Sequence, residues 1–201
     1  MTFDSDGAPS AAPTERVVLL DEAGQATGTV DKLSAHLPPG HLHLAFSIFL
    51  FTSDGRLLLQ RRASSKYHFA GLWSNSCCGH PRPGELVESA GRRRLNEELG
   101  VSCRLDEVGQ FRYHARDDQS GLHEHENVHV LAGVSDARVF PDPLEIGDVR
   151  VVDRERLQRT LFSNPEVYTP WLPVAFTVVA DWWRSRAWPG VHHATEATEP
   201  V

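Results

Sequence analysis

Three imidazoles and two carboxylates stand out by type and spacing: His36 and His43 are seven residues apart, His80 lies downstream, and Glu124 and Glu126 are two apart. Residues two apart in a strand face the same side, so the glutamates would present both carboxylates together. Five such groups suffice to enclose one metal ion. Imidazole nitrogen mixed with carboxylate oxygen suits a borderline ion such as Mn2+ or Zn2+ better than an all-oxygen site would. Spacing leaves His123, His125 and His129 open as alternative ligands, and in a chain with 11 histidines any single one is more often a surface or hydrogen-bonded core residue. Close by, Cys78 precedes Gly79-His80-Pro81. A tight turn there would set a thiol beside an imidazole and a metal, an environment that lowers a thiol pKa from about 8.5 towards neutrality and makes it a proton acceptor. Cys77 and Cys103 read as small buried apolar residues, and neighbouring cysteines such as Cys77 and Cys78 do not suit disulfide geometry.

A second constellation follows. Gly79, Glu85, Arg93, Glu97, Glu98 and Gly100 fit the spacing G-x5-E-x7-R-x3-E-E-x-G. Taken alone, Arg93 with Glu97 and Arg94 with Glu98 are i, i+4 pairs on a solvated helix face. Six specified positions over 22 residues make chance agreement small.

These groups need elements to position them. The periodicity predicts strands at 16–20 and 28–30, then runs at 42–51 and 56–61 joined by a hairpin turn at Ser53-Asp-Gly55. A helix is expected over 85–99, with Leu86, Val87, Ala90, Leu95 and Leu99 as its apolar stripe and Gly100 as its stop. Two further strands, 106–115 and 122–132, flank a loop at 117–121. After Val149 come a strand, a helix over 154–162, and a last helix capped by Thr169 with Pro170 at its first position. This order lacks the strict βαβ repeat of a doubly wound sheet.

The 201 residues are most simply one domain, here 15–188, between segments at 1–14 and 189–201 whose small polar composition predicts flexibility. Acidic residues outnumber basic ones, 27 to 20, so extended contact with nucleic acid has little electrostatic support. Neither a signal peptide nor an apolar run of ~20 residues is evident, and three cysteines form no disulfide framework. A soluble cytoplasmic protein without a membrane partner is expected; its oligomeric state is not legible.

The spacing at 79–100 resembles the Nudix box, with Leu95 and Val101 at its aliphatic positions. One position departs from a Nudix hydrolase: the Glu that follows the box arginine there is Arg94 here. Replacing a ligand for Mg2+ by a fixed cation favours holding an anion over activating water. The flanking runs Leu42-His-Leu-Ala-Phe-Ser47, Arg61-Arg-Ala-Ser-Ser-Lys66, Trp73-Ser-Asn-Ser-Cys-Cys-Gly-His-Pro81 and Phe111-Arg-Tyr113, with Glu124-x-Glu126 and Pro170-Trp171, resemble type 1 isopentenyl-diphosphate delta-isomerase. The resemblance covers about 16–185. It implies an α/β Nudix-like sandwich of mixed β-sheets flanked by helices, and metal-dependent isomerisation of isopentenyl diphosphate to dimethylallyl diphosphate, supplying isoprenoid biosynthesis. It further implies a Mn2+ or Zn2+ site at His36, His43, His80, Glu124 and Glu126, and a Mg2+ carried with the substrate diphosphate on Glu98. Arg62, Lys66 and Arg94 would contact the diphosphate, Cys78 and Glu126 would move protons with Tyr113 beside them, and Trp171 would face the carbocation-like state. Hydrolysis of a nucleoside diphosphate derivative is the competing expectation.

Overall fold

The apolar run His43–Phe51 is the strand around which the fold is built, buried on both faces along nearly all its length. The computed structural model describes residues 15–188, so the expected flexible segments at 1–14 and 189–201 lie outside the described residues. In chain order the elements are β1 (Arg16–Leu20), β2 (Ala26–Asp31), α1 (Lys32–His36), β3 (His43–Phe51), β4 (Leu57–Arg62), β5 (Trp73–Ser74), β6 (Cys77–Gly79) and α2 (Val87–Leu99). Then follow β7 (Leu105–Arg116), β8 (His123–Val134), β9 (Ile146–Val152), α3 (Arg154–Ser163) and α4 (Trp171–Ser185).

One edge of β3 pairs in parallel with β8 from His43↔Glu126 to Phe51↔Val134. The other edge is divided among β1 at Leu19↔His43, β6 at Phe46↔Gly79 to Ile48↔Cys77, and β4 at Phe51↔Leu57. β7 extends the sheet beyond β8, β9 beyond β4 and β2 beyond β1. Alternation along β3 feeds two cores. Phe49 and Phe51 pack with Val130, Ala132, Leu157 of α3 and Leu172, Ala175, Val179 and Trp183 of α4. Phe46, Ile48 and Leu50 pack with Leu131 and with Ala90, Leu95 and Leu99 of α2. The result is the expected mixed α/β arrangement, sheet between helices. At Gly91, α2 lies so close to the sheet that an added Cβ would sit 2.7 Å from Leu131 Cδ1.

The hairpin at 52–56 forms as expected, with the Gly55 amide donating to the Thr52 carbonyl at 2.9 Å. Several expectations need correction. Leu86 is 71% exposed and lies outside the stripe, because α2 begins only at Val87 after an extended Leu86. Glu85 precedes the helix and accepts the Arg82 amide at 2.9 Å. Arg94 and Glu98 are not on a solvated face: Glu98 is buried. Thr169 does not cap α4 with its side chain; its hydroxyl donates to Ser74 Oγ at 3.1 Å, and Pro170 occupies the cap. The strand expected after Val149 starts at Ile146. Among the described residues no helix is long and apolar enough to cross a membrane.

Candidate active site and metal centre

Strand register assembles the site. Glu126 is the lateral neighbour of His43 on one side and of Tyr113 on the other, so the three residues form a row across one face of the sheet. Glu124, two residues earlier, shares that face. The same alternation sends the alternative ligands elsewhere: His125 Nδ1 lies 3.3 Å from the Gly40 carbonyl, His129 Nδ1 is 2.9 Å from Glu107, and His123 pairs with His114 at 3.1 Å. His36 ends α1, a short helix capped by Asp31, whose carboxylate accepts the amides of Leu33 and Ser34. His80 follows β6.

Four of the five residues expected to hold an ion, His36, His43, His80 and Glu126, bring ligand atoms within 4.8 Å of one another, while Glu124 falls in a second such group with His36 and His68. His43 Nε2 is 3.1 Å from His80 Nε2, His80 Nε2 is 2.8 Å from Glu126 Oε1, and His36 Nε2 is 3.1 Å from Glu124 Oε2. Separations near 3 Å are those of neighbouring ligands on an ion with bonds of about 2.1 Å. His36 and His43 each donate Nδ1–H to a backbone carbonyl at 2.7 Å, of Lys32 and His41 respectively, which turns the Nε2 lone pairs inwards. His36 Nε2 and Glu124 Oε2 are buried without a hydrogen-bond partner, so the donor set fits a divalent cation. Burial holds His80 down at about 4, in the neutral form that ligates. Burial works against the charge on Glu124, but the imidazoles of His36 and His68 outweigh it and hold the carboxyl well below the usual range. Glu126 is also lowered: burial and the charge of Glu124 oppose ionisation, and His43 and His80 overcome them.

The candidate proton-handling groups line one narrow cleft of about 50 Å3, together with Trp171, Arg62, Lys66, Arg94 and Glu98. Cys78 stands opposite Ser47 on β3 and so shares the face of His43, whereas Cys77 points into the core beneath α2. The expected thiol beside an imidazole is not found. Cys78 Sγ instead contacts Asn75 Oδ1 at 3.3 Å and Ser47 Oγ at 3.6 Å, and burial pushes its pKa up to about 11. Asn75, quoted within its run but given no role by the sequence, has a fixed orientation: its amide group donates to the carbonyls of Ile48 and Cys77, leaving Oδ1 to accept from Cys78 and from Trp171 Nε1 at 3.2 Å. Trp171 is thereby pinned against the cleft, with Phe69 edge-on at 5.4 Å and Tyr113 at 6.0 Å between ring centroids. The Tyr113 hydroxyl donates to Glu126 Oε2 at 2.8 Å.

At the polar end, Lys66 Nζ lies 2.5 Å from Glu145 Oε2, and Arg94 reaches Glu97, Glu98 and Glu145 at 2.9, 2.5 and 3.0 Å. Two cations thus meet three carboxylates. Of these, Glu97 is shared with Arg93, and burial opposes the charge on Glu98 and raises its pKa. Arg62 donates to the carbonyls of His68 and Phe69 and lies 5.5 Å from the Trp171 ring, combining a scaffolding task with its place in the cleft. The remaining box charges are structural: Arg93 makes two bonds of 2.8 Å to Glu85 and reaches Glu97 at 3.4 Å. His68 and Glu145 were not foreseen. Both act through contacts between segments 50 or more residues apart, which spacing does not encode.

The NUDIX domain profile matches residues 41–172. The isopentenyl-diphosphate Delta-isomerase of Halorhodospira halophila is 52% identical over 171 residues, covering 84% of this chain and 98% of that protein. The protein of the same name from Nocardia farcinica is 51% identical over 156 residues, covering 78% and 89%. Among solved structures, a Deinococcus radiodurans protein superposes with TM-score 0.67 at 23% identity, covering 82% of this chain and 99% of that one, and shows the fold alone. A Nudix profile across most of the chain, joined to half-identical relatives of nearly full coverage, places this chain in the isopentenyl-diphosphate Delta-isomerase family of Nudix proteins.

Proposed function

We propose that this protein isomerises isopentenyl diphosphate to dimethylallyl diphosphate by adding a proton at one carbon and removing one nearby. The observation that carries this reading is the placement of Cys78 and the Tyr113–Glu126 pair in one cleft with the cations of the polar end. An alkene is a very weak base, so protonation passes through a state resembling a tertiary carbocation that water would trap. The walls must therefore exclude water and offer no nucleophile to the cation. The Trp171 face meets that need, and attraction of a desolvated cation to an aromatic face is worth about 2 kcal/mol. Glu126, with the Tyr113 hydroxyl on its other oxygen, delivers the proton, and Cys78 receives one. Burial leaves the pair's single proton on Cys78 at rest, so that proton must reach Glu126 before turnover, in which Glu126 gives a proton to the hydrocarbon and the Cys78 thiolate takes one. A proton must then move back before the next turnover.

His36, His43, His80, Glu124 and Glu126 would hold one divalent ion, Mn2+ or Zn2+, and Glu98 would share a Mg2+ with the diphosphate. When bound, these ions supply positive charge that polarises Glu126 and neutralises the diphosphate. Lys66, Arg94 and Arg62 anchor the polar group, and that remote binding energy orients a hydrocarbon tail that offers few contacts of its own. The hydrolase alternative loses support at Arg94, which occupies a water-activating position of the box and is paired with Glu97, Glu98 and Glu145. The test is incubation with isopentenyl diphosphate and Mg2+ while product and phosphate are followed together. Dimethylallyl diphosphate without phosphate release is expected; phosphate without an allylic product would establish hydrolysis instead.

A further inference from the structure

A fourth imidazole enters the metal centre from a loop that contributes none of the five expected ligands. His68 is 6% exposed, its ring lies 5.3 Å from that of His36, and its Nε2 hydrogen-bonds Glu124 Oε1. The other oxygen of the same carboxylate, Oε2, is the one that faces His36 Nε2 at 3.1 Å. The two oxygens of Glu124 are thus divided, one towards His68 and one towards the ligand cluster.

A neutral imidazole carries one N–H. With that hydrogen on Nε2 and given to Glu124, the nitrogen has no lone pair for an ion. The price is visible at the other nitrogen, since His68 Nδ1 is buried without a partner. A ring placed only for packing would not be expected to spend its single N–H on a buried carboxylate and leave the second nitrogen bare.

The backbone holds this ring independently of its side chain. Arg62 donates to the carbonyls of His68 and Phe69 at 3.0 and 3.1 Å, and the Phe69 amide donates to Asp117 Oδ2 at 3.0 Å. Phe69 itself has φ of 49°, a left-handed conformation that costs on the order of 1 kcal/mol for such a residue and persists because these bonds overdetermine it. Substituting the His68 side chain leaves every one of these bonds in place.

We propose that His68 is a positioning residue of the metal centre: its Nε2–H holds Glu124 Oε1, so that Glu124 offers the ion the single oxygen Oε2. This role rests on the metal reading above and adds to it a residue outside the expected ligand set. Removing an outer hydrogen bond to a ligating carboxylate weakens metal affinity by roughly 10- to 100-fold.

The experiment measures Mn2+ affinity by chelator competition on the parent protein, His68→Ala and His68→Gln, with melting of each metal-free protein as the folding control. Weakening by at least about tenfold in H68A is expected, with recovery to within about threefold of the parent in H68Q, whose amide N–H replaces the imidazole donor. If H68A does not fold, His68→Leu fills the buried space without a donor and takes its place. Parent-like affinity in the donor-less variant would overturn the proposal. So would H68Q as weak as H68A, because the imidazole nitrogen would then itself be a ligand. A parent protein that binds no Mn2+ would overturn the metal reading and this role together, an outcome distinct from the other two.

Discussion

Glu145→Gln separates the electrostatics of the polar end from the chemistry of the cleft. Glu145 bridges Lys66 at 2.5 Å and Arg94 at 3.0 Å, and although burial opposes its ionisation, these two cations hold its pKa at about 2 instead of 4.5. At about 1.4 kcal/mol per unit, the ceiling on its contribution is about 3 kcal/mol, and partial exposure screens this to about 1.5 kcal/mol. A carboxylate with a depressed folded-state pKa stabilises fully above its unfolded value and loses that contribution as pH falls through the folded one. The parent should therefore exceed E145Q by about 1.5 kcal/mol at pH 7, with the gap narrowing from about pH 4.5 and nearly gone at about pH 2. Urea unfolding at pH 7, 3.5 and 2.5 measures the difference. The same substitution releases both cations, and one fewer negative charge about 4 Å away favours pyrophosphate by about 1 kcal/mol, or fivefold, in metal-free buffer. Equal stability at pH 7, a gap undiminished at pH 2.5, or unchanged pyrophosphate affinity would refute the reasoning.

Two further outcomes follow from the same geometry. Trp171→Phe keeps an aromatic face but loses the indole bonds to Ser74 and Asn75, whereas Trp171→Leu loses both, so steady-state kcat should fall about 30-fold further in the leucine variant; equal losses would assign Trp171 to packing. Stripping divalent ions should lower the melting temperature, because the buried cluster would lose its cation: at an ion concentration of 1,000 times Kd the linkage is about 4 kcal/mol, roughly 8–16 °C for a domain of this size. Identical melting with and without chelator would contradict a bound ion at this centre.

Much of the frame was legible because long strands announce themselves by composition. The runs at 42–51 and 122–132 became β3 and β8, whose parallel pairing supplies His43 and Glu126 as neighbours. What escaped was short or nonlocal. β5 and β6 span two and three residues, too few for periodicity to register, and α1 is a five-residue helix fixed by its Asp31 cap. Glu85 fits the box spacing yet precedes α2, because an ion pair with Arg93 holds it there instead of a helical turn. Residue types and strand alternation anticipated the shared face of Glu124 and Glu126, but not the neighbours of Cys78. Asn75 is turned towards the thiol by the Ile48 and Cys77 carbonyls, an orientation set only once β3 and β6 have paired. His68 and Glu145 reach the site across loops, and no local pattern marks either.

The most direct test follows isopentenyl diphosphate in deuterated water with Mg2+, using the parent protein and Cys78→Ala, both shown to be folded and metal-loaded. Proton transfer through Cys78 and Glu126 predicts deuterium-labelled dimethylallyl diphosphate from the parent and none above background from C78A. Labelled product at the parental rate from C78A, or product from the parent carrying no deuterium, would contradict it.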